Sequence, residues 1–321
     1  MNSRSISVFL LTLFCFSIVA PTFTTDYEEP LISHSITSSD YYAVYGSITI
    51  ESDQDFIDYG FLGNGSVENP YRLERLNITS NIAFSKAISI RNTHAFFIIR
   101  DCVIKSQYIG IALLDMATGT GSLINNTLTS ISGDGGGILI QTVNCTISEN
   151  RCVNWAQGVH LNQASLCTIS RNNISDSTYQ GINIRYSDNN TIINNRIHNS
   201  TQHGLAFVGT SKSNVAYNNI FTDNGNVAEY EIDGERNGTL KSQGYDEGSN
   251  NTWYDLNSKI GNFWSDYSGY GSYTIDGPAN NFDLYPIISD SSQIFVFITS
   301  ILAISGIAIS LIAISYRRLH K

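Results

Sequence analysis

GILIQTVNCTISENRCVNWAQ from Gly137, GVHLNQASLCTISRNNISDSTYQ from Gly158, GINIRYSDNNTIINNRIHNSTQH from Gly181 and GLAFVGTSKSNVAYNNIFTDNGN from Gly204 are four successive lines of one repeat. Their opening glycines recur at a nearly constant step. Each line opens on glycine, alternates apolar and polar residues as in Ile182 to Ile184, bends through polar residues, and returns to an apolar position, an asparagine and another apolar position. A period in the range of about 20 to 50 residues signals a solenoid, and alternation with period two signals strand rather than helix.

Asn150, Asn172, Asn195 and Asn218 keep the same step as the glycines, and continuing it backwards reaches Asn126 and then Asp101. Three positions before them stand Ile98, Leu123, Ile147, Ile169, Ile192 and Val215; two positions after stand Val103, Leu128, Cys152, Ile174, Ile197 and Ile220. A unit this short has no room for a crossover helix, so it buries its apolar face by winding once and stacking on the next unit. Coils then lie about 4.8 Å apart. The spacing predicts a ladder of Asn126, Asn150, Asn172, Asn195 and Asn218, whose amides bond along the stack. The glycine beside it suits a corner with positive φ.

These N-x-I and G-I-x-I lines resemble NosD-type and pectate-lyase-like repeats over roughly residues 87–226. GNGSVENPYRLERLNI, from Gly63 to Ile78, resembles the opening motif of archaeal NosD-like surface proteins, and GNFWSDYSGYGSYTIDGPANNFDLYPI, from Gly261, resembles their closing motif. The resemblance implies an all-β fold, a right-handed parallel β-helix of about seven coils, with a single C-terminal transmembrane α-helix added in this chain. It also raises copper. Against copper, the chain has two methionines, Met1 and Met116, and neither His-x-x-His nor Cys-x-x-Cys.

Outside the repeats, residues 1–25 read as a signal peptide, with Arg4 as the one charge and an apolar run from Val8 to Ala20. Residues 26–62 read as an N-terminal segment and cap, in which SITI (Ser47 to Ile50) is a strand. Ser52 with Asp55 opens a short helix over the end of the stack. Residues 63–226 are the β-helix, and 227–290 an acidic loop followed by an aromatic closure. The closure holds Trp253, Phe263, Trp264, Tyr267, Tyr270, Phe282 and Tyr285. The span 293–316 is read as a transmembrane helix, its uncharged stretch from Ile294 to Ser315 reaching about 33 Å. The basic residues of 317–321 put the tail in the cytoplasm and the β-helix outside, as a single-pass protein of the cell membrane.

The chain carries 18 Lys+Arg against 28 Asp+Glu, net −10, and −14 once Arg4, Arg317, Arg318 and Lys321 are set aside. Such a surface repels nucleic acid. Nine N-x-Ser/Thr sequons begin at Asn64, Asn77, Asn125, Asn144, Asn173, Asn189, Asn199, Asn237 and Asn250. An Asn- and Thr-rich β-helix makes sequons by composition alone, yet several fall at coil corners where a glycan could point outward, and the chain reads as a glycoprotein. Between Glu229 and Asp255 stand seven acids in which oxygen ligands for calcium are conceivable. No EF-hand spacing accompanies them, a solvated loop is the stronger reading, and no cofactor is expected.

With Ile182 and Ile184 facing in, Asn183 and Arg185 face out; His160 and Asn162 lie one coil away, and Leu139 and Gln141 one further. Trp155, Tyr179 and Tyr186 at flanking bends complete a polar and aromatic stripe of the kind that holds sugars. Asp115, Asp134, Asp176, Asp188 and Asp223 occur singly, and His203-Gly204 with Arg196 is the one echo of a polygalacturonase. No acid/base carboxylate pair or lyase motif is recognised. The expected role is binding or structural at the cell envelope. A glycan or envelope polymer leads as partner, with a tethered lyase or hydrolase and a ligand-free scaffold as alternatives. The oligomeric state is open. Cys145 and Cys167 stack in adjacent coils, within reach of a disulfide outside the cell and equally readable as two buried thiols.

Overall fold

A computed structural model describes residues 43–232 and 235–288. Among them, three parallel sheets of nine, eight and seven strands form a parallel β-helix of right-handed type. In each coil a strand of the seven-stranded sheet, such as Thr146–Ser148, turns into one of the nine-stranded sheet, Arg151–Val153. The coil then turns into one of the eight-stranded sheet, Gln157–Asn162. Inward positions such as Ile147, Cys152, Val159 and Leu161 are 0% exposed and repeat in every coil as one continuous core. The predicted segments 1–25 and 293–316 lie outside the described residues, among which no helix is long and apolar enough to cross a membrane.

The asparagine ladder exists with one correction. Its members are Asn126, Asn150, Asn172, Asn195, Asn219 and Asn262, not Asn218. The carboxamide of each donates to Oδ1 of the next at 2.9–3.0 Å, and so does the backbone N–H at 2.9–3.1 Å. Each corner takes two residues, one in the left-handed region and pointing out, the next pointing in. Asn218 (φ 53) is the outer residue of its corner, as Asp101 (φ 56) is of an earlier one, where Cys102 holds the ladder position. An Asn-Asn dipeptide looks the same in either frame. The apolar columns shift with it: Ile99 rather than Ile98 pairs with Leu123, and Ile104 rather than Val103 with Leu128. Ala216 and Phe221 likewise replace Val215 and Ile220.

The repeat glycines also have a different reason. Gly137, Gly158 and Gly181 are not at positive φ. A Cβ on Gly137 would lie 2.5 Å from the carbonyl oxygen of Gly158 in the next coil, and one on Gly158 2.3 Å from Ile174. Close approach of the next coil, by its backbone carbonyls and its isoleucine side chains, rather than a left-handed turn, requires them.

Stacking runs beyond both predicted edges of 63–226. Ala43–Tyr45 and Ile48–Ile50 already join the nine- and eight-stranded sheets. The helix Asp53–Asp58 follows, with the Asp55 carboxylate accepting from the backbone of Ser52 at 3.0 Å. Its buried Phe56 stacks on Tyr71 at 4.8 Å and covers that end of the core. After Asn226 the period disappears because an antiparallel hairpin, Glu229–Ile232 with Glu235–Thr239, is inserted. Gly244–Asp246 and Phe263–Trp264 then resume the sheets.

Two further amide ladders run beside the first, Asn190, Asn214 and Asn251 in one and Asn224 and Gln243 in the other, and all three end on aspartates. Asn262 donates its backbone N–H to Asp283 at 2.7 Å, Asn251 its carboxamide to Asp246 at 2.9 Å, and Gln243 its carboxamide to Asp266 at 2.7 Å. Every ladder points its N–H groups the same way, so a polarised chain of donors meets a carboxylate at its end. Trp264 lies between Phe221 and Tyr273, stacked at 4.3 and 4.2 Å, and closes the core.

Candidate functional site

The outward residues of the eight-stranded sheet form a cleft of about 540 Å³ between Tyr108 and Tyr179. His160 pairs with Asn183, and Asn162 with Arg185, in adjacent strands, and Leu139 continues the first column. Gly135 (φ 70) closes the rim by passing so near Tyr108 that a Cβ would lie 1.6 Å from its carbonyl oxygen. The floor ends at the next coil, where Ala206 and Val208 take the columns over and are covered by Tyr245.

Of the expected residues, His160, Asn162, Tyr179, Asn183 and Arg185 line the cleft together. Tyr179 is 46% exposed. Tyr186 stands beside the cleft rather than in its wall. It occupies the left-handed region at φ 46, costly for a bulky side chain, and takes a hydrogen bond from Arg185 Nη2 at 3.2 Å. The Arg185 guanidinium carbon sits 4.8 Å above its ring centroid. Trp155 is a correction: it is fully buried, and its indole N–H donates to the Leu128 carbonyl at 3.2 Å. It follows the left-handed Asn154, so the corner rule turns it inward.

Sequence reasoning missed Gln157, Gln180 and Tyr108. Gln157, Gln180 and Gln202 recur with the period of the coils and form a side-chain amide row, with bonds of 3.4 and 2.9 Å. That periodicity was available in the sequence, beside the column glycines. The row leaves one group unanswered. Asn183, 6% exposed, donates its Nδ2 to Gln180 at 3.3 Å, while its buried Oδ1 accepts from no protein group. An orphaned buried acceptor costs about 1–3 kcal/mol, and its place in a cleft wall invites a ligand hydroxyl.

A second cavity, about 610 Å³, holds the carboxylates of Glu247 and Asp276 beside Lys241. Both are engaged: Asp276 accepts from the Lys241 and Ser242 amides at 2.8 and 3.0 Å, and Glu247 from the Tyr245 hydroxyl at 2.8 Å. Asp276 also meets His203 Nε2 at 3.3 Å, and His203 is fully buried while Arg196 is exposed on another sheet. Burial pushes the His203 pKa below its ordinary 6.5, against the opposing pull of Asp276. A lowered folded pKa means that the unfolded chain binds the extra proton, so stability is lost as pH falls below about 6.5. A melting-temperature series from pH 8 to 5 should fall in that window, and His203→Gln should flatten it; an unaltered slope in the variant would refute the assignment.

Cys145 and Cys167 are free thiols rather than a disulfide, the Cys145 amide donating to Cys167 Sγ at 3.4 Å. They continue a second ladder through Asn190, Asn214 and Asn251. In-register side chains of parallel strands run alongside each other and do not meet the torsion of a disulfide. Burial pushes the Cys102 and Cys152 thiols up to about 12. Among the described residues no group of three or more His, Cys, Asp or Glu is placed to hold a metal ion, and the acidic stretch from Glu229 to Asp255 includes the inserted hairpin.

The family model described as periplasmic copper-binding protein (NosD) matches residues 46–269. The crystal structure of the enzymatically active domain of bacteriophage CBA120 tailspike protein 2 aligns with 67% of this chain at 10% identity and a TM-score of 0.43. This chain spans 38% of that tailspike chain. No curated protein sequence matches the chain significantly.

Proposed function

The chain belongs to the NosD family, and on that premise we propose that it is a β-helical module of the cell envelope that binds carbohydrate in the cleft of the eight-stranded sheet. The observation that carries this reading is the unpartnered Asn183 Oδ1 in the wall of a cleft flanked by the exposed Tyr179. A sugar presents hydroxyl donors to such an acceptor and an apolar ring face to such an aromatic. Arg185 is the one cation of the lining, held against Tyr186. A bilayer span at 293–316 would tether the module.

Copper, named in the family's description, does not fit the donors of the described residues. Soft-metal sites take thiolates, thioethers or imidazoles in groups. Here two thiols are held protonated by burial, two are committed to a ladder, and Met116 is the one thioether between residues 43 and 288.

The test is retention of neutral and uronic-acid oligosaccharides by the detergent-solubilised full chain, with calcium and with chelator, also scoring release of shortened sugars. Asn183→Ala and Tyr179→Ala should each weaken retention roughly ten-fold, about 1.4 kcal/mol. Retention indifferent to both substitutions would remove the cleft from the account. Release of products would favour a tethered lyase or hydrolase, and silence in both channels a scaffold.

A further inference from the structure

We propose that one edge of the β-helix is a row of N-glycosylation sites, Asn144, Asn189 and Asn250, carried on alternate coils. At the corner between the eight- and seven-stranded sheets each coil places one residue in the left-handed region. In order these are Gly119, Asn144, Leu166, Asn189, Ser213 and Asn250, with φ of 79, 60, 61, 56, 56 and 56°. They form one column, because the amide of each donates to the next coil beside its neighbour: Asn144 to Ser165, Leu166 to Asp188, Asn189 to Lys212 and Ser213 to Ser249.

The three asparagines are exposed, and among the described residues their carboxamides make no hydrogen bond. The next residues, Cys145, Asn190 and Asn251, are buried ladder members, and of the third, Thr146 and Thr191 lie in one file of the seven-stranded sheet, which a bridge from Val215 extends to Thr252. Corner geometry therefore presents amide and hydroxyl together on the outside while the middle residue anchors the turn.

The other sequons lack this presentation. Asn77 and Asn173 are half-buried inside strands, and Asn237 also lies in a strand. Asn125 and Asn199 are tied through Nδ2 to Asp101 and Asp176 at 2.7 and 2.6 Å, and Asn64 closes its own turn on the Ser66 amide. Between the three members of the row stand Leu166 and Ser213, which are not sequons. Occupied positions are thus two coils apart, about 9.6 Å at ordinary strand spacing, which gives each branched chain its own room.

The transfer needs a lipid-phosphate- or pyrophosphate-linked oligosaccharide and a membrane-bound transferase. Asn Nδ2 attacks the anomeric carbon, the C1–O bond breaks, the lipid phosphate leaves with the bonding pair, and one Nδ2 proton passes to the transferase. Nothing is oxidised or reduced. The row depends on no property of the cleft.

The experiment is glycopeptide mass mapping of the full chain isolated from the cells that make it. Glycan mass is expected on Asn144, Asn189 and Asn250, with bare peptides at Asn77 and Asn173. N144Q, N189Q and N250Q should each remove one glycan from the intact mass. So should T146V, T191V and T252V, which keep every asparagine and its corner. Bare peptides at the three positions, or occupancy at Asn77 and Asn173 equal to that of the row, would overturn the proposal.

Discussion

Asn219→Ala should destabilise the protein by roughly 3 kcal/mol or more, while Asn218→Gly, one residue away, should stay within about 0.5 kcal/mol. Asn219 Nδ2 donates to the Ile192 carbonyl at 2.9 Å and to Asn262 Oδ1 at 2.9 Å, and its own Oδ1 accepts the Asn195 backbone N–H at 2.9 Å and the Asn195 carboxamide at 3.0 Å. Alanine leaves the buried Asn195 N–H and the Ile192 carbonyl without these partners, each at about 1–3 kcal/mol, and it also interrupts a polarised chain of amides. Asn218 has its side chain at the surface against Asn194 and a left-handed backbone that glycine adopts freely. Urea titration of the two variants measures the difference. Equal losses would mean that the corner has been assigned one residue out of frame.

The second large effect is expected where the same ladder ends, one rung beyond Asn262. Asp283 is fully buried and accepts the Asn262 amide at 2.7 Å, the Trp264 indole N–H at 3.0 Å and the Tyr285 amide at 3.0 Å. Burial pushes its carboxyl above the ordinary range, and those donors pull it part of the way back. Asp283→Ala removes all three acceptor contacts at once, for about 4 kcal/mol or more, since hydrogen bonds to charged groups contribute roughly 1.5–3 kcal/mol each. The consequence reaches beyond stability, because Asp283 anchors the indole that closes the core between Phe221 and Tyr273. Freeing that indole uncovers strand edges that pair with other chains. The variant is therefore expected to aggregate at temperatures where the parent is monodisperse by light scattering. A soluble variant with unchanged unfolding would refute the capping role.

How much was legible beforehand follows from the period. Glycine, apolar pairs and asparagine recurring together at one short, near-constant step leave a unit no way to bury its face except stacking, so fold class and the middle rungs of the columns and ladder followed from local pattern alone. Ile98, Val103, Val215, Asn218 and Ile220 were each one residue out of frame. The aligned pairs His160 with Asn183 and Asn162 with Arg185 were legible too, because alternation on a strand and coil-to-coil register are both sequence-periodic. Trp155 was not, since an aromatic at a bend faces in or out according to which corner residue takes the left-handed conformation. Asn218 and Asn219 differ for the same reason.

The sequence by itself therefore determined that this chain is a stack of parallel coils with an asparagine spine and an aromatic end. Only the tertiary structure decided which residue of each corner points in and that the stack continues across an inserted hairpin. It also decided that three ladders meet carboxylates and that Asn183 Oδ1 is left without a donor in the cleft wall. The physical division is between periodic and non-periodic interactions. Burial and strand pairing repeat with the chain and are written in its spacing. Corner φ, insertions and hydrogen-bond satisfaction depend instead on neighbours at least a whole coil away along the chain, as when Asn219 meets Asn262 across the inserted hairpin.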